Sequence, residues 1–378
     1  MSREFSRAEL YQLVWTTPLR HLAKTIGVSD VAIAKRCRAA AIPLPGLGYW
    51  AKKEAGKRVV QTALSPRGLG QSNEITIGRQ DHYGQTYSEE ELLELTIPEP
   101  PTFEDDMDAV RVRADAIAAR VRPSTLARPH PVTAKLLQED EIRRKRHATS
   151  KWSWDAPIFD GAQEQRRLRL INSLCNALAS CGYKCVAQGK DGYQLSTHIG
   201  DQRIGFSLAP KGYDRQKHYP GVRVPNDGKL TLHLDWHHLP DGQPSSWVDE
   251  KGLMLEKRLP EIVAGLLVAA EWVYRATLIR RHSYLVERKA QAIKDQKRRM
   301  EEAARKERDR VERATQKRRE ALLQDVHSWK TALQIREYVQ AHLDCHEATD
   351  ALREWGDWAL TEADRIDPLK QGVPPHSG

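Results

Sequence analysis

Apolar residues recur at helical spacing in two short runs near the start of the chain. Leu19, Leu22, Ala23 and Ile26 form one stripe; Ile33, Ala34, Cys37 and Ala41 form the next. Both follow the three- and four-residue intervals of an amphipathic helix. Start signals accompany them. Ser6 stands three positions before Glu9, a capping box opening an earlier helix that runs to about Trp15. Thr17 with Pro18 opens the second helix, and Ser29 caps the third. Gly27 lies between them, where a left-handed residue is needed. The order helix, helix, glycine turn, helix is that of a helix-turn-helix module, with Ala23 small enough for a close crossing and Ile33 at a core position. Pro43 and Pro45 stop the third helix. Tyr49 and Trp50 are read as covering the open end of this core, which closes the module at residue 58.

Residues 59–158 read as a linker. They are rich in Gly, Ser, Thr and Pro, with one amphipathic helix over 105–121 whose stripe is Met107, Val110, Ala114, Ile117 and Val121. Residues 159–275 read as an α+β domain. A helix face of Leu168, Ile171, Leu174, Cys175 and Leu178 ends at Gly182; the strand candidates "YKCVA", "YQLSTHI", "RIGFSLA" and "KLTLHLDW" follow, and a helix opens at Pro260. Residues 276–324 hold neither Pro nor Gly and predict one long basic helix, about 75 Å at 1.5 Å per residue. Its seam of Ile279, Val286, Ile293 and Met300 is broken by Glu307 and Arg318, too thin for a strong coiled coil. Residues 325–369 predict a helical hairpin, Val326, Trp329, Leu333 and Val339 facing Leu352, Trp355, Ala359 and Ala363. The expected fold class is mixed: an N-terminal all-α helix-turn-helix, a central α+β domain with an antiparallel sheet, a long charged helix and a C-terminal helical hairpin.

Charge gives two of these segments a candidate role. The chain carries +9 with a pI near 9.2. Residues 1–58 hold eleven Lys or Arg against four Asp or Glu, a net of +7. An anionic partner fits, and double-stranded DNA is the partner expected of this module. On the third helix Asp30, Ala32, Lys35, Arg36, Arg38 and Ala39 face outward, small residues among long cations, as a helix entering the major groove requires. The candidate DNA-binding residues are Ser29, Lys35, Arg36 and Arg38 on that helix, and Lys52, Lys53, Lys57 and Arg58 behind it for backbone phosphate. The plainer reading is a solvated basic face. Over 280–320 sixteen cations stand against eight anions, a net of +8. That suits a charged spacer or a weak dimerisation arm, with a homodimer through the C-terminal helices and their tryptophans Trp329, Trp355 and Trp358.

Five cysteines give no disulfide framework, the N-terminus has no signal-peptide core, and the longest apolar run, "IVAGLLVAAEWV", is too short to span a bilayer. The expectation is a cytoplasmic protein with no membrane partner and no cofactor.

The segment "FSRAELYQLVWTTPLRHLAKTIGVSDVAIAKRCRAAAIPLPGLGYWAKKEAGK" resembles the N-terminal module of a family of uncharacterised bacterial proteins often found near mobile or plasmid-borne genes. The pieces "RPHPV", "GKLTLHLDW", "LPEIVAGLLVAAEWV" and "WALTEADRIDPL" are similar to that family too, so the resemblance spans most of the chain. Members often carry an arginine where this chain has Leu47, before Gly48, Tyr49 and Trp50. The resemblance implies no catalytic residues.

Other chemistry is thinly signalled. Alternation over 229–237 puts Leu230, Leu232, Leu234 and Trp236 on one face and Thr231, His233, Asp235 and His237 on the other. The second face could hold a metal or be a wet sheet surface. Asp191, Asp227 and Glu256–Lys257 could form a nuclease-like carboxylate set, and Cys175, Cys181, Cys185 and His198 a zinc set, though their spacing matches no usual ligand pairing. No catalytic and no metal residue is assigned. The expected function is a sequence-reading DNA-binding protein, not an enzyme, acting as a regulator or accessory factor of a bacterial mobile element or defence locus. The alternatives are a DNA-processing enzyme with its site in 160–275 and a scaffold using the long helix.

Overall fold

The structure is a computed structural model that describes residues 3–78, 87–150, 156–213, 228–235, 243–347 and 349–372. The chain divides into two compact units: residues 1–87 with 96–286, and residues 88–95 with 287–378.

The first unit contains two hydrophobic cores. One gathers β1 (Arg3–Ser6), α1 (Arg7–Thr16), α2 (Leu19–Ile26), α3 (Asp30–Ala39), α4 (Tyr49–Glu54) and β2 (Glu74–Ile77) around Leu10, Val14, Trp15, Leu22, Ile26, Ile33 and Cys37. The anticipated caps of α1 and α3 and the glycine end of α2 are present, but α2 starts at Leu19 with Pro18 itself as N-cap and no side-chain cap from Thr17. The Ser6 hydroxyl accepts from the Glu9 amide and the Glu9 carboxylate accepts from the Ser6 amide. Gly27 ends α2 at φ 82°, ψ 33°, and the Ser29 hydroxyl accepts from the Ala32 amide.

The module does not stop at residue 58. β2 pairs antiparallel with β1, placing Ile75 and Ile77 opposite Phe5 and Arg3, and both isoleucines are buried in the first core. Tyr11 donates to the Thr62 carbonyl at 2.9 Å. A fragment ending at residue 60 would lose both contacts. The segment read as a linker also holds α6 (Met107–Ala118), the anticipated helix, and α7 (Pro131–Ser150), whose Leu136 is buried in the second core.

That second core lies between helices and a five-stranded antiparallel meander, β3 (Lys184–Gln188), β4 (Gln194–Ile199), β5 (Gln202–Pro210), β6 (Leu230–Leu234) and β7 (Ser246–Val248), in sequential order. The first four strands match the anticipated segments; the three-residue β7 was not anticipated. α8 (Ala162–Ser180) contributes Leu168, Ile171, Leu174, Cys175 and Leu178. Leu230, Leu232 and Leu234 are buried while Thr231 and His233 are not, as alternation requires. The fold is thus mixed α+β.

α9 runs unbroken from Leu259 to Cys345, 87 residues. The sequence reading divides this stretch at 276 and 325, but no Pro or Gly stands at either place to divide the helix. It contains the single candidate membrane span found among the described residues, and 72% of that 18-residue window is buried inside the protein.

In the second unit α5 (Glu89–Glu94) lies against α9, with Leu92 buried, Lys289 donating to the Leu95 carbonyl at 2.7 Å and Arg299 paired with Glu89. α10 (Asp350–Ile366), capped by Thr349, folds back on α9 and buries Ala359 and Ala363 with Ala332 and Val339. Gly356 faces Val339 and Leu343, where a Cβ would meet their side chains at 3.7–3.9 Å, an ordinary contact. Val326 and Trp329, expected inside this hairpin, are about 40% exposed: the close packing of α10 begins beyond them.

Candidate nucleic-acid interface

α3 is built for two environments. Ile33, Ala34 and Cys37 point into the core, joined by Ala40 just past the helix end. Ala41, assigned to the inward stripe, is instead exposed, with φ 51°. It occupies the left-handed position of a Schellman turn, in which the Ile42 amide donates to the Cys37 carbonyl at 2.8 Å and the Ala41 amide to the Arg38 carbonyl at 3.1 Å. Ile42, 3% exposed, supplies the apolar residue that this motif buries. An alanine there carries left-handed strain of about 1–2 kcal/mol. Glycine removes that strain but adds unfolded-state entropy of about 0.4–1 kcal/mol. Ala41→Gly is therefore expected to raise stability by about 0.5–1 kcal/mol, read as a higher urea midpoint with unchanged slope. A lower midpoint would count against the Schellman assignment.

Val31, Lys35, Arg38 and Ala39 lie on the outward face, all exposed, with Val31 at 70%. Arg36 is exposed as well, but at the edge of that face. It lines a cleft of about 370 Å³ with Glu4, Glu74, Asp201 and Arg281, and so meets a mixed electrostatic environment that Lys35 and Arg38 do not. Ser29 serves as the N-cap of α3, its hydroxyl engaged by the backbone.

Behind α3 the chain turns through Pro43, Pro45 and Gly48, the last at φ 75°, and opens α4. The Trp15 indole donates to the Pro43 carbonyl at 2.9 Å, and its ring meets Tyr49 edge-on at 5.1 Å. Tyr49 closes the core's end as expected, and Trp50 stacks edge-on against it at 5.2 Å. Lys53 Nζ sits 5.0 Å from the Trp50 ring centre, a cation–π contact that holds the ammonium at the surface. Lys52, Lys57 and Arg58 are exposed. Leu47, at the loop tip, is fully exposed. Among the described residues no ion pair engages Lys35, Arg36, Arg38, Lys52, Lys53, Lys57 or Arg58. No hydrogen bond or ring contact joins the α3 cations to the α4 cations.

Sequence reading missed what fixes α3 from below. Arg7, 4% exposed, donates to the carbonyls of Ala40 at 2.7 Å, Ala41 at 2.9 Å and Ser65 at 2.7 Å. Gln71 donates to the Ala39 carbonyl at 2.8 Å. These side chains satisfy carbonyls at the helix end that have no intrahelical partner. Gln71 belongs to a loop clamped at its other side by Glu271, which binds Arg67, Arg275 and the Gly70 amide. Gly70 and Gly200 touch backbone to backbone: a Cβ on Gly200 would fall 2.5 Å from Gly70 C. Such partners lie 30 to 200 residues apart in sequence, and no local signal marks them.

The other candidate chemistry disperses. Cys185 lies opposite Thr197 and Lys184 opposite His198, so His198 is on the other face of the sheet from Cys185 and the four-residue zinc set does not form. Glu256 pairs with Arg166, which also binds Asp249. Asp191 accepts from the Tyr193 amide. His233 is exposed on β6; Asp227, Trp236 and His237 lie outside the described residues. Among the described residues no three His, Cys, Asp or Glu side chains converge to hold a metal. Neither a family model, a curated protein nor a solved structure matches the chain.

Proposed function

We propose that the chain is a sequence-reading DNA-binding protein whose first module is a helix-turn-helix, with α3 entering the major groove. The observation that carries this reading is the outward face of α3. It presents Lys35 and Arg38, with no acidic partner among the described residues, beside the small Ala32 and Ala39 and behind a left-handed glycine turn and a serine cap. Unpaired cations reach phosphate and guanine edges at no cost in broken ion pairs. Lys52, Lys53, Lys57 and Arg58 add phosphate contacts beside the groove. The resemblance to proteins of mobile and plasmid-borne loci points to a regulator or accessory factor acting in the cytoplasm at such loci. Two copies joined through the C-terminal helices would present two heads to paired half-sites. Ile279, Val286, Ile293 and Met300 are 41–68% exposed along α9 and free for such pairing.

The test is duplex binding by the full-length protein across a salt series. Lys35→Ala and Arg38→Ala are each expected to weaken binding and to lower the salt slope by about one per lost phosphate contact. Arg36→Ala is expected to do less, because Arg36 shares its cleft with Glu4 and Glu74. Salt-independent binding, or wild-type affinity in a variant carrying Lys35→Ala, Arg36→Ala and Arg38→Ala together, would remove the proposal.

A further inference from the structure

We propose that Cys175 and Cys185 are a disulfide-forming pair, oxidised by a hydroperoxide, whose bond ties α8 to strand β3. The two sulfurs lie 2.7 Å apart, with Cys175 donating to Cys185. Cys175 is on the last turns of α8, and Cys185 is the second residue of β3. The chain reverses between them through Gly182, at φ 88°. Cys185 is on the sheet face that α8 covers: it is buried while its strand neighbours Lys184 and Val186 are exposed. Both sulfurs therefore belong to elements held in place by the same core. A disulfide of about 2.05 Å needs only a small torsional adjustment of two side chains that already point at each other.

The other thiols are placed differently. Cys37 is buried in the first core, Cys181 caps α8, and Cys345 is exposed at the end of α9. Among the described residues β3 is an outer strand of the sheet, paired with β4 alone. Edge strands open locally more easily than central ones, which gives a small oxidant a route to Cys185. The hydrogen bond with Cys185, together with burial, pushes the Cys175 pKa up, so Cys175 enters as the neutral thiol.

The chemistry closes without a further reactant. The Cys185 sulfur gives up its proton as it attacks one oxygen of hydrogen peroxide, and the O–O bond breaks. Hydroxide leaves and takes up a proton to become water, and Cys185 carries a sulfenic acid. Cys175 sulfur then attacks the Cys185 sulfur, the S–O bond breaks, and the hydroxyl departs as water with the Cys175 proton. Two thiols give up two electrons to the peroxide, and one S–S bond forms.

The full-length protein is treated with hydrogen peroxide, alkylated without reduction, digested and mapped by mass spectrometry. The expected result is a cross-linked peptide joining Cys175 to Cys185, lighter than its two reduced parts by two hydrogens. With alkylation carried out in denaturant, the three other cysteines, buried Cys37 included, are expected to be found alkylated. A dithiol reductant reverses the change, and the melting temperature rises on oxidation and falls back on reduction. A Cys185→Ser variant is expected to lose the reversible melting shift. If the cross-link is absent while Cys181 or Cys345 is oxidised, or if Cys185 is found joined to another cysteine, the proposal is overturned. Should the variant not fold, the wild-type peptide map alone decides.

Discussion

Glu271→Ala is expected to lower folding stability by about 3–5 kcal/mol, the loss typical of removing one partner from a buried ion pair. Glu271 is fully buried. Its carboxylate accepts from Arg67 at 2.5 and 3.0 Å, from Arg275 at 2.9 Å and from the Gly70 amide at 2.9 Å. Alanine leaves Arg275, itself 6% exposed, with its charge uncompensated. Stacking of Arg275 on Phe103 and of Arg67 on Tyr274, each at 4.7 Å, offsets only part of that loss. Burial acts to raise the Glu271 pKa. The hydrogen bonds from Arg67, Arg275 and Gly70 outweigh it and hold the group below the usual carboxylate range. A carboxylate with a depressed folded pKa contributes stability that is present above its unfolded pKa and is lost as pH falls through the folded value. Asp249, held down by Arg166 and two backbone amides against its own burial, behaves in the same sense. Wild-type stability should therefore fall on acidification, and Glu271→Ala should flatten that acid limb. Urea titrations at several pH values read both effects. A variant within about 0.5 kcal/mol of wild type would fit an ordinary surface site, not a buried clamp.

What the sequence discloses is local. The Ser6–Glu9 box, the left-handed Gly27 and the Ser29 cap each act within a few residues, so pattern alone places α1, α2 and α3. The exposed cations on α3 follow from the same helical phase. The second core was legible for a similar reason: Leu230, Leu232 and Leu234 alternate, and α8 carries one continuous apolar face. What stayed hidden depends on distant partners. β2 is four residues long, and its two isoleucines matter only because β1 lies beside them. Nothing near Arg7 announces that its guanidinium will finish a helix ending at residue 39. The position of Arg36 relative to Glu4 and Glu74 is set by that same pairing of β1 with β2, so helical phase gave its exposure but not its surroundings. From Leu266 to Cys345 α9 has neither Pro nor Gly, so its continuity past 276 and 325 follows from the lack of breakers although the apolar pattern changes at both places. α9 ends at Cys345, and Thr349 caps the next helix; the end does not fall where the apolar pattern changes.

Trp247→Ala should cost about 3–5 kcal/mol, the range for deleting a large aromatic side chain from a core. The informative partner of this change is Gly265, nearly two turns into the buried start of α9. Trp247 is fully buried, and its indole donates to Glu261 at 2.9 Å. A Cβ on Gly265 would lie 2.5 Å from Trp247 Cζ2 and 2.6 Å from Cη2. Two effects then oppose each other in Gly265→Ala. Helix propensity favours alanine by about 1 kcal/mol. Overpacking against a ring that cannot retreat costs about 1–3 kcal/mol. Packing should win, so the substitution destabilises the wild-type protein. In the Trp247→Ala background the collision is gone, and the added methyl fills part of the cavity, so Gly265→Ala should now stabilise. The sign reversal is the coupling that a double-mutant cycle isolates, and chemical denaturation of the four proteins measures it. If Gly265→Ala stabilises both backgrounds equally, the glycine is not there to seat the tryptophan, and the contact between β7 and α9 is looser than the structure places it.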